Sequence, residues 1–305
     1  MKRILHFYRA RGLAWSVVRF VIIFGLCFEI LYPFIVKILQ MFMSVHDLSD
    51  PTVKLYPKEF SVEFLREAYR LIEYPKSFAN TLVISLITSA AQLFVCTAAG
   101  YGFARFKFRG RGLLFGGVLM SLMIPPALYS VSLYLRFRYF GLFGLFGTGS
   151  LDLSKNVFPY LILALTGMGL KNGLFIYLMR QFFRGMPKEL EEAAYIDGCG
   201  VYETFFRIMA PNARNMMITV FILSFAWQWT DVFYSTLFSA DMQTLPTAVL
   251  SRIQTVTATG VPRGGMEYSI LRNTGGILTI LPLTAIYAVM QKWLIQGIER
   301  SGIVG

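Results

Sequence analysis

The chain has 305 residues, 55% of them hydrophobic and 15% charged, with a formal net charge of +12. A soluble domain carries more charge and less apolar surface than this, and 28 Phe, 16 Tyr and 14 Met exclude a disordered chain. The 3 cysteines, Cys27, Cys96 and Cys199, are too scattered for a disulfide scaffold or a cysteine metal site.

A bilayer core about 30 Å thick needs about 20 apolar helical residues per crossing. Runs of that kind lie at 17–39, 78–104, 113–135, 157–179, 216–238 and 275–294. The first is too long for a signal-peptide core and no small-residue cleavage site follows it, so it reads as an uncleaved anchor. Pro125 and Pro126 interrupt the third run; Gly167, Gly169 and Lys171 interrupt the fourth. Such breaks are tolerated where neighbouring helices satisfy the freed backbone groups. The expected fold class is an all-α membrane protein with six transmembrane helices. It forms a single transmembrane domain over 1–305 with its core at 78–296.

Basic residues set the orientation. Lys2, Arg3, Arg9, Arg11 and Arg19 precede or open the first run. The short loop holding Arg105, Lys107, Arg109 and Arg111 contains no acid, and Arg180, Arg184, Lys188, Arg207 and Arg214 fall on the same side. Segment 1–19 and the C-terminus are therefore expected in the cytoplasm. Most of the positive excess is an orientation signal. It flanks the apolar runs and makes no single basic stripe, which argues against a nucleic-acid partner.

On the other side, segment 40–77 holds an amphipathic helix that Ser61 can cap, with Phe64, Leu65, Ala68, Leu71 and Ile72 on its apolar face. The loop at 140–156 is Gly-rich and irregular. Segment 239–273 has a turn-forming tip with Pro262, Arg263, Gly264 and Gly265. That tip suits contact with an external binding partner; a plain connector is the other reading.

The segment 184–211 carries the most information. Pro187 suits a first helical turn, 188–196 are good helix formers, and Glu189, Glu191 and Glu192 complement a helix N-terminus. Gly198 can take a left-handed backbone at no steric cost and so breaks the helix. A second short helix at about 202–209 is expected to stop at Pro211. Two short helices joined at a glycine corner form a knob with little of its own chain to pack against, so it needs a partner.

This segment closely resembles the EAA motif of ABC importer permeases. Glu192, Ala193, Ala194, Asp197, Gly198, Phe205, Ile208 and Pro211 match its pattern, while Cys199 stands where relatives often have Ala. The basic run 104–111, Asn80-Thr81-Leu82 and Ile124-Pro125 resemble the maltose and multi-sugar branch. Trp229-Thr230-Asp231 stands where relatives usually have Trp-Asn-Asp or Trp-Asn-Glu. The resemblance implies a type I ABC importer permease fold in a bacterial cytoplasmic membrane. It implies a cytoplasmic ATPase dimer docked on the EAA loop, a second related permease, and an extracellular or periplasmic solute-binding protein. The implied solute is a carbohydrate, a di- or oligosaccharide. The sequence has no G-x-x-x-x-G-K-[ST] loop, so the chain is expected to bind no cofactor and to be no enzyme. ATP and Mg²⁺ would be used by the partner.

Charged groups inside a spanning helix cost roughly 2.5–3.5 kcal/mol on insertion scales and are candidates for function. Asp231, with Trp227, Gln228, Trp229 and Asn80, is a candidate lining of the solute path, a helix–helix hydrogen bond being the alternative for Asp231. Glu29 and Lys171 are expected to pair within the bundle, and Lys37 to snorkel to the interface. The spacings Gly112–Gly116 and Gly169–Gly173 permit close helix approach. His6 and His46 fall on opposite sides and make no metal site. A permease of the same architecture for a peptide or polyamine remains open. An intramembrane enzyme would need clustered His, Asp or Glu at one depth.

Overall fold

The first apolar run and its basic N-terminal flank join into α1 (Lys2–Gln40), a 39-residue helix longer than the 17–39 span expected. The structure is a computed structural model that describes residues 2–53, 55–141, 151–238, 242–258 and 265–302. Apart from an isolated antiparallel bridge between Phe140 and Leu151, all its regular structure among these residues is helical. The chain divides into two compact units, Met1–Ile72 with Arg252–Leu278 and Glu73–Ser251 with Thr279–Gly305.

In the first unit, every side chain from 15 to 35 of α1 is exposed, Glu29 included. After it come α2 (Val45–Ser49) and α3 (Glu63–Leu71). The Ser44 side chain caps α2 by accepting from the Asp47 N–H at 3.1 Å. Phe64, Ala68 and Ile72 are buried as the expected apolar face, with Leu65 and Leu71 half-buried beside them. Ser61 Oγ accepts from the Glu63 N–H at 3.2 Å, at the entry of α3. Nearby, hydrogen bonds from Lys58 and Thr52 hold the Asp50 carboxyl well below the usual carboxylate range.

The second unit is built on α4 (Tyr74–Arg105), which Pro75 opens at a position where its missing N–H costs nothing. One stripe of α4 is small and polar: Thr81, Ser85, Thr88, Gln92, Cys96 and Gly100 are all buried. Small side chains let helices approach closely where lipid offers no competing hydrophobic drive. After α4 come α5 (Arg111–Met123), a 3₁₀ turn (Pro126–Tyr129), α6 (Ser130–Arg138), α7 (Phe158–Leu165) and α8 (Asn172–Gly185), the last two packed against α4. These lead to α9 (Glu189–Ile196), α10 (Val201–Thr204), a π turn (Phe205–Met209), α11 (Ala210–Asn212), α12 (Arg214–Trp229) and α13 (Phe233–Phe238). Last come α14 (Leu245–Ala258) and the 38-residue α15 (Gly265–Gly302), whose residues divide between the two units. One core gathers Cys96, Phe175, Met179, Phe183, Met209 and Val220; a second gathers Ile84, Phe137, Tyr160, Tyr234 and Phe238.

The apolar runs do not all become straight spans. Among the described residues, three helices are long and apolar enough to cross a membrane: Trp15–Gln40, Tyr74–Arg105 and Gly265–Leu294. The third run bends by 97° between Arg111–Met123 and Pro126–Arg138, because Pro125 and Pro126 disfavour helical backbone before them and supply no N–H. The fourth run is two helices, 8 and 14 residues long, parted by left-handed backbone at Gly167 (φ 75°) and Lys171 (φ 61°). The fifth stops at Trp229 and resumes at Phe233. The sixth begins ten residues earlier than expected, since no proline separates Gly265 from Gly275.

Candidate functional site

The expected knob forms, and its corner has a specific backbone solution. Glu189, Glu191 and Glu192 occupy the first turn of α9, where carboxylates complement the helix dipole. At its end the Cys199 N–H donates to the Ala194 carbonyl at 2.9 Å and the Gly198 N–H to that of Tyr195 at 3.1 Å. This is the Schellman arrangement, which requires left-handed backbone at the residue after the C-cap; Gly198 has φ 84°. The second helix departs from expectation. It does not stop at Pro211 but runs through it to Asn212, then turns by 76° at Ala213 into α12. Pro211 has no N–H to give, and the turn before it widens so that the Ala210 N–H reaches back five residues to the Phe205 carbonyl.

Glu192, Ala193, Asp197 and Pro211 are exposed, Ile208 is half-buried, and Ala194 and Phe205 are buried, Phe205 against the Tyr101 ring of α4. Around the glycine corner sit five apolar side chains open to solvent: Tyr195, Val201, Phe206, Ile196 and Tyr202, the last two 86% and 81% exposed. Exposed apolar side chains gathered near one corner are the kind of surface that a protein partner covers.

The sequence offered Glu191 only as one of three carboxylates at a helix N-terminus, and the structure makes it the anchor of the knob. Tyr101 Oη donates to its carboxylate at 2.7 Å, and Arg105 Nε lies 3.4 Å from the other oxygen, an ionic contact between side chains 8% and 11% exposed. Arg105 also donates to the Met186 carbonyl at 2.7 Å. Tyr101 and Arg105 are four residues apart on α4, and Glu191 and Ala194 three apart on α9, so each pair shares a helix face. That register was the available signal.

The second feature is a cleft at the break between α7 and α8. The segment 166–171 leaves helical hydrogen bonds unmade, and one side chain of α4 repairs much of the loss. Gln92 Nε2 donates to the Leu170 carbonyl at 2.8 Å and to the Asn172 side-chain oxygen. Gln92 Oε1 accepts from Ser224 Oγ and, at 3.4 Å, from Gln228. Asn172 donates onward to the Ala164 carbonyl at 2.9 Å. A cleft of about 170 Å³ opens beside this break, lined by Ser121, Tyr129, Tyr234 and the backbone of Gly167 and Gly169, with Lys171 at its edge. Tyr129 and Tyr234 share a hydroxyl contact of 3.3 Å. The Lys171 ammonium lies over the Trp227 ring, 5.7 Å from its centroid.

The candidate path residues hold varied positions. Trp229 is fully buried and donates its indole N–H to the Thr279 carbonyl at 2.9 Å. Asp231 accepts from Ser235 N–H at 2.9 Å and from Tyr234 N–H at 3.4 Å, tying the start of α13. Asn80 donates to the Gln243 carbonyl at 3.0 Å. Trp227 and Asn80 are half-buried, and Trp227 lies beside the cleft's lysine. Neither Glu29 nor Lys171 takes part in an ion pair among the described residues. Gly173 packs closely, a Cβ there falling 2.8 Å from the Val118 carbonyl oxygen, whereas Gly112 and Gly116 face open space. Gly265 begins α15; Pro262, Arg263 and Gly264 lie outside the described residues.

Three comparisons place this geometry among known proteins. The probable ABC transporter permease protein YurM of Bacillus subtilis is 26% identical over 93% of this chain and 87% of its own length. The arabinooligosaccharides transport system permease protein AraQ of the same organism is 28% identical over 76% of this chain and 74% of its own. The maltose/maltodextrin transport system permease protein MalG of Yersinia pestis is 28% identical over 74% and 69%. A chain from the crystal structure of a bacterial ABC transporter involved in the import of the acidic polysaccharide alginate superposes with a TM-score of 0.71 at 20% identity, covering 92% of this chain and 97% of that one, a likeness of fold. Residues 77–300 match the family described as binding-protein-dependent transport system inner membrane component. The chain belongs to that family, the permeases of ABC importers.

Proposed function

We propose that the chain is one of two membrane-spanning subunits of an ATP-driven carbohydrate importer in the bacterial cytoplasmic membrane. It crosses six times with both ends in the cytoplasm. The observation that carries the reading is the knob: a rigid corner at Gly198 that presents apolar side chains and the Glu192 carboxylate outward. Such a surface needs a protein partner, and the resemblance to the EAA pattern supports an ATPase dimer in that place, supplying ATP and Mg²⁺ chemistry. The names of the relatives, arabinooligosaccharides and maltose/maltodextrin among them, support a sugar as cargo. In this reading the turn with Pro262, Arg263, Gly264 and Gly265 meets a solute-binding protein. The solute path runs beside Trp227, while Asp231, Gln228, Trp229 and Asn80 hold its wall.

Glu192→Lys reverses the charge on the exposed face, and Gly198→Val forces a β-branched residue into left-handed backbone. A Cβ at Gly198 meets no atom within 4 Å, so its cost is confined to the corner's conformation. Both variants are expected to insert normally and to lose ATPase co-purification and solute uptake by about tenfold or more, the loss of one or two well-packed interface anchors. Normal uptake with either variant would overturn the coupling assignment.

A further inference from the structure

The cleft at the α7–α8 break contains a charge that the fold leaves unneutralised. Lys171 is level with Gln92, the residue that bonds to its neighbour Leu170, and Gln92 lies 18 residues after the start of α4 and 13 before its end. That is near the middle of a helix long enough to span a membrane, where a cation is expensive and where side chains of this kind mark the pathway of a ligand or ion. No carboxylate lies within ion-pair distance of the Lys171 ammonium among the described residues. Its one close electrostatic neighbour is the face of Trp227, which attracts a cation without neutralising it. The backbone reinforces this placement. Lys171 holds left-handed φ, a conformation lysine adopts at a cost, while Asn172 beside it is pinned through Gln92 and Ala164. Lys171 is among the residues that line the cleft, together with the hydroxyl-bearing Tyr129, Tyr234 and Ser121 and the amide of Asn172.

An ammonium and hydroxyls set among apolar side chains suit one chemistry: a sugar ring that carries a carboxylate. The hydroxyls meet the ring's own hydroxyls, Leu122, Ile124 and Met168 meet its apolar face, and the ammonium meets the anion. A neutral sugar would leave the charge unanswered, and a polyamine would be repelled. We infer that Lys171 makes this cleft a subsite for acidic saccharides, and that it is the residue that discriminates a uronate from its neutral counterpart. The inference rests on the reading of the chain as a solute-conducting permease and narrows its cargo. With about 170 Å³ available, the subsite takes a single ring of the saccharide.

The test uses the assembled importer, both permeases with the ATPase, in lipid nanodiscs and without the binding protein. Its tryptophan fluorescence is titrated with digalacturonate and with the uncharged disaccharide galactobiose, and Trp227→Phe identifies the reporting indole. A charge-assisted contact predicts a preference for digalacturonate of about tenfold or more. Lys171→Gln should abolish the preference, and Lys171→Arg should keep it. Equal binding of both sugars by the unaltered importer, binding of neither, or a preference that survives Lys171→Gln would overturn the inference. So would loss of assembly in Lys171→Gln with recovery in Lys171→Arg, because Lys171 would then serve a carboxylate of another subunit. If both variants fail to assemble, the comparison of the two sugars on the unaltered importer decides. Absence of the ATPase from the purified complex would instead count against the coupling function, and the sugar preference could still be read on the permeases alone.

Discussion

Glu191→Ala is expected to destabilise the attachment of the knob to α4 by about 3 kcal/mol, because it strands a buried guanidinium. Arg105 and Glu191 are 8% and 11% exposed at the side chain, and the carboxylate has a second partner in Tyr101 at 2.7 Å. Removing the acid leaves one cation and one phenol facing a vacated space. The acid's removal costs more than the pair itself is worth, since each partner has already given up water. The checks are thermal unfolding of the detergent-solubilised permease and proteolysis at Arg184 and Lys188, which should be cut faster once α9 is loose. Glu191→Leu combined with Arg105→Leu should lose markedly less than the sum of the two single changes. Strict additivity would mean that the contact carries no coupling energy.

The second large effect is expected at Gly100. A Cβ there would stand 2.5 Å from the Met179 Cβ and 2.9 Å from the backbone nitrogen of Arg180. Neither is the end of a flexible side chain, so α4 and α8 must move apart. Overpacking of this kind costs about 1–3 kcal/mol and sometimes more. Gly100→Leu should therefore yield little monodisperse protein by size-exclusion chromatography, while Gly102→Leu, where the added Cβ meets no atom within 4 Å, should behave as the parent does. Equal yields from the two would refute the close approach of α4 and α8.

Features written in a few consecutive residues were legible before the structure. The buried face of α3 and the glycine corner at Gly198 each depend on local spacing or on one residue's backbone freedom. The interruption of the fourth run at Gly167, Gly169 and Lys171 was legible too, but what stabilises the break between α7 and α8 was not. That break is stabilised by Gln92, 80 residues away from Asn172 in the chain, and no local pattern announces such a partner. The same holds for Glu191 and Glu192. They are adjacent and chemically identical, yet one is buried against α4 and the other displayed, and only the register of α9 on α4 separates them. Lys171 and Glu29 looked like mutual counter-charges by arithmetic. In the structure Glu29 belongs to the exposed surface of α1 and Lys171 borders a cleft. Small residues followed the same logic. Gly112 and Gly116 had the spacing for close contact but face open space, while Gly100, part of no such motif, sits where two helices touch.

One consequence of the polar stripe on α4 concerns force and not stability. Gln92 holds the break beside the cleft, and Tyr101 and Arg105 hold the knob, all on one unbroken helix. Nine residues separate Gln92 from Tyr101, about 13 Å along the axis. A helix resists compression along its length, so α4 behaves as a connecting rod with one bearing at each end. A partner that pushes on the knob cannot shift α9 and leave the cleft where it was unless one of those bearings lets go.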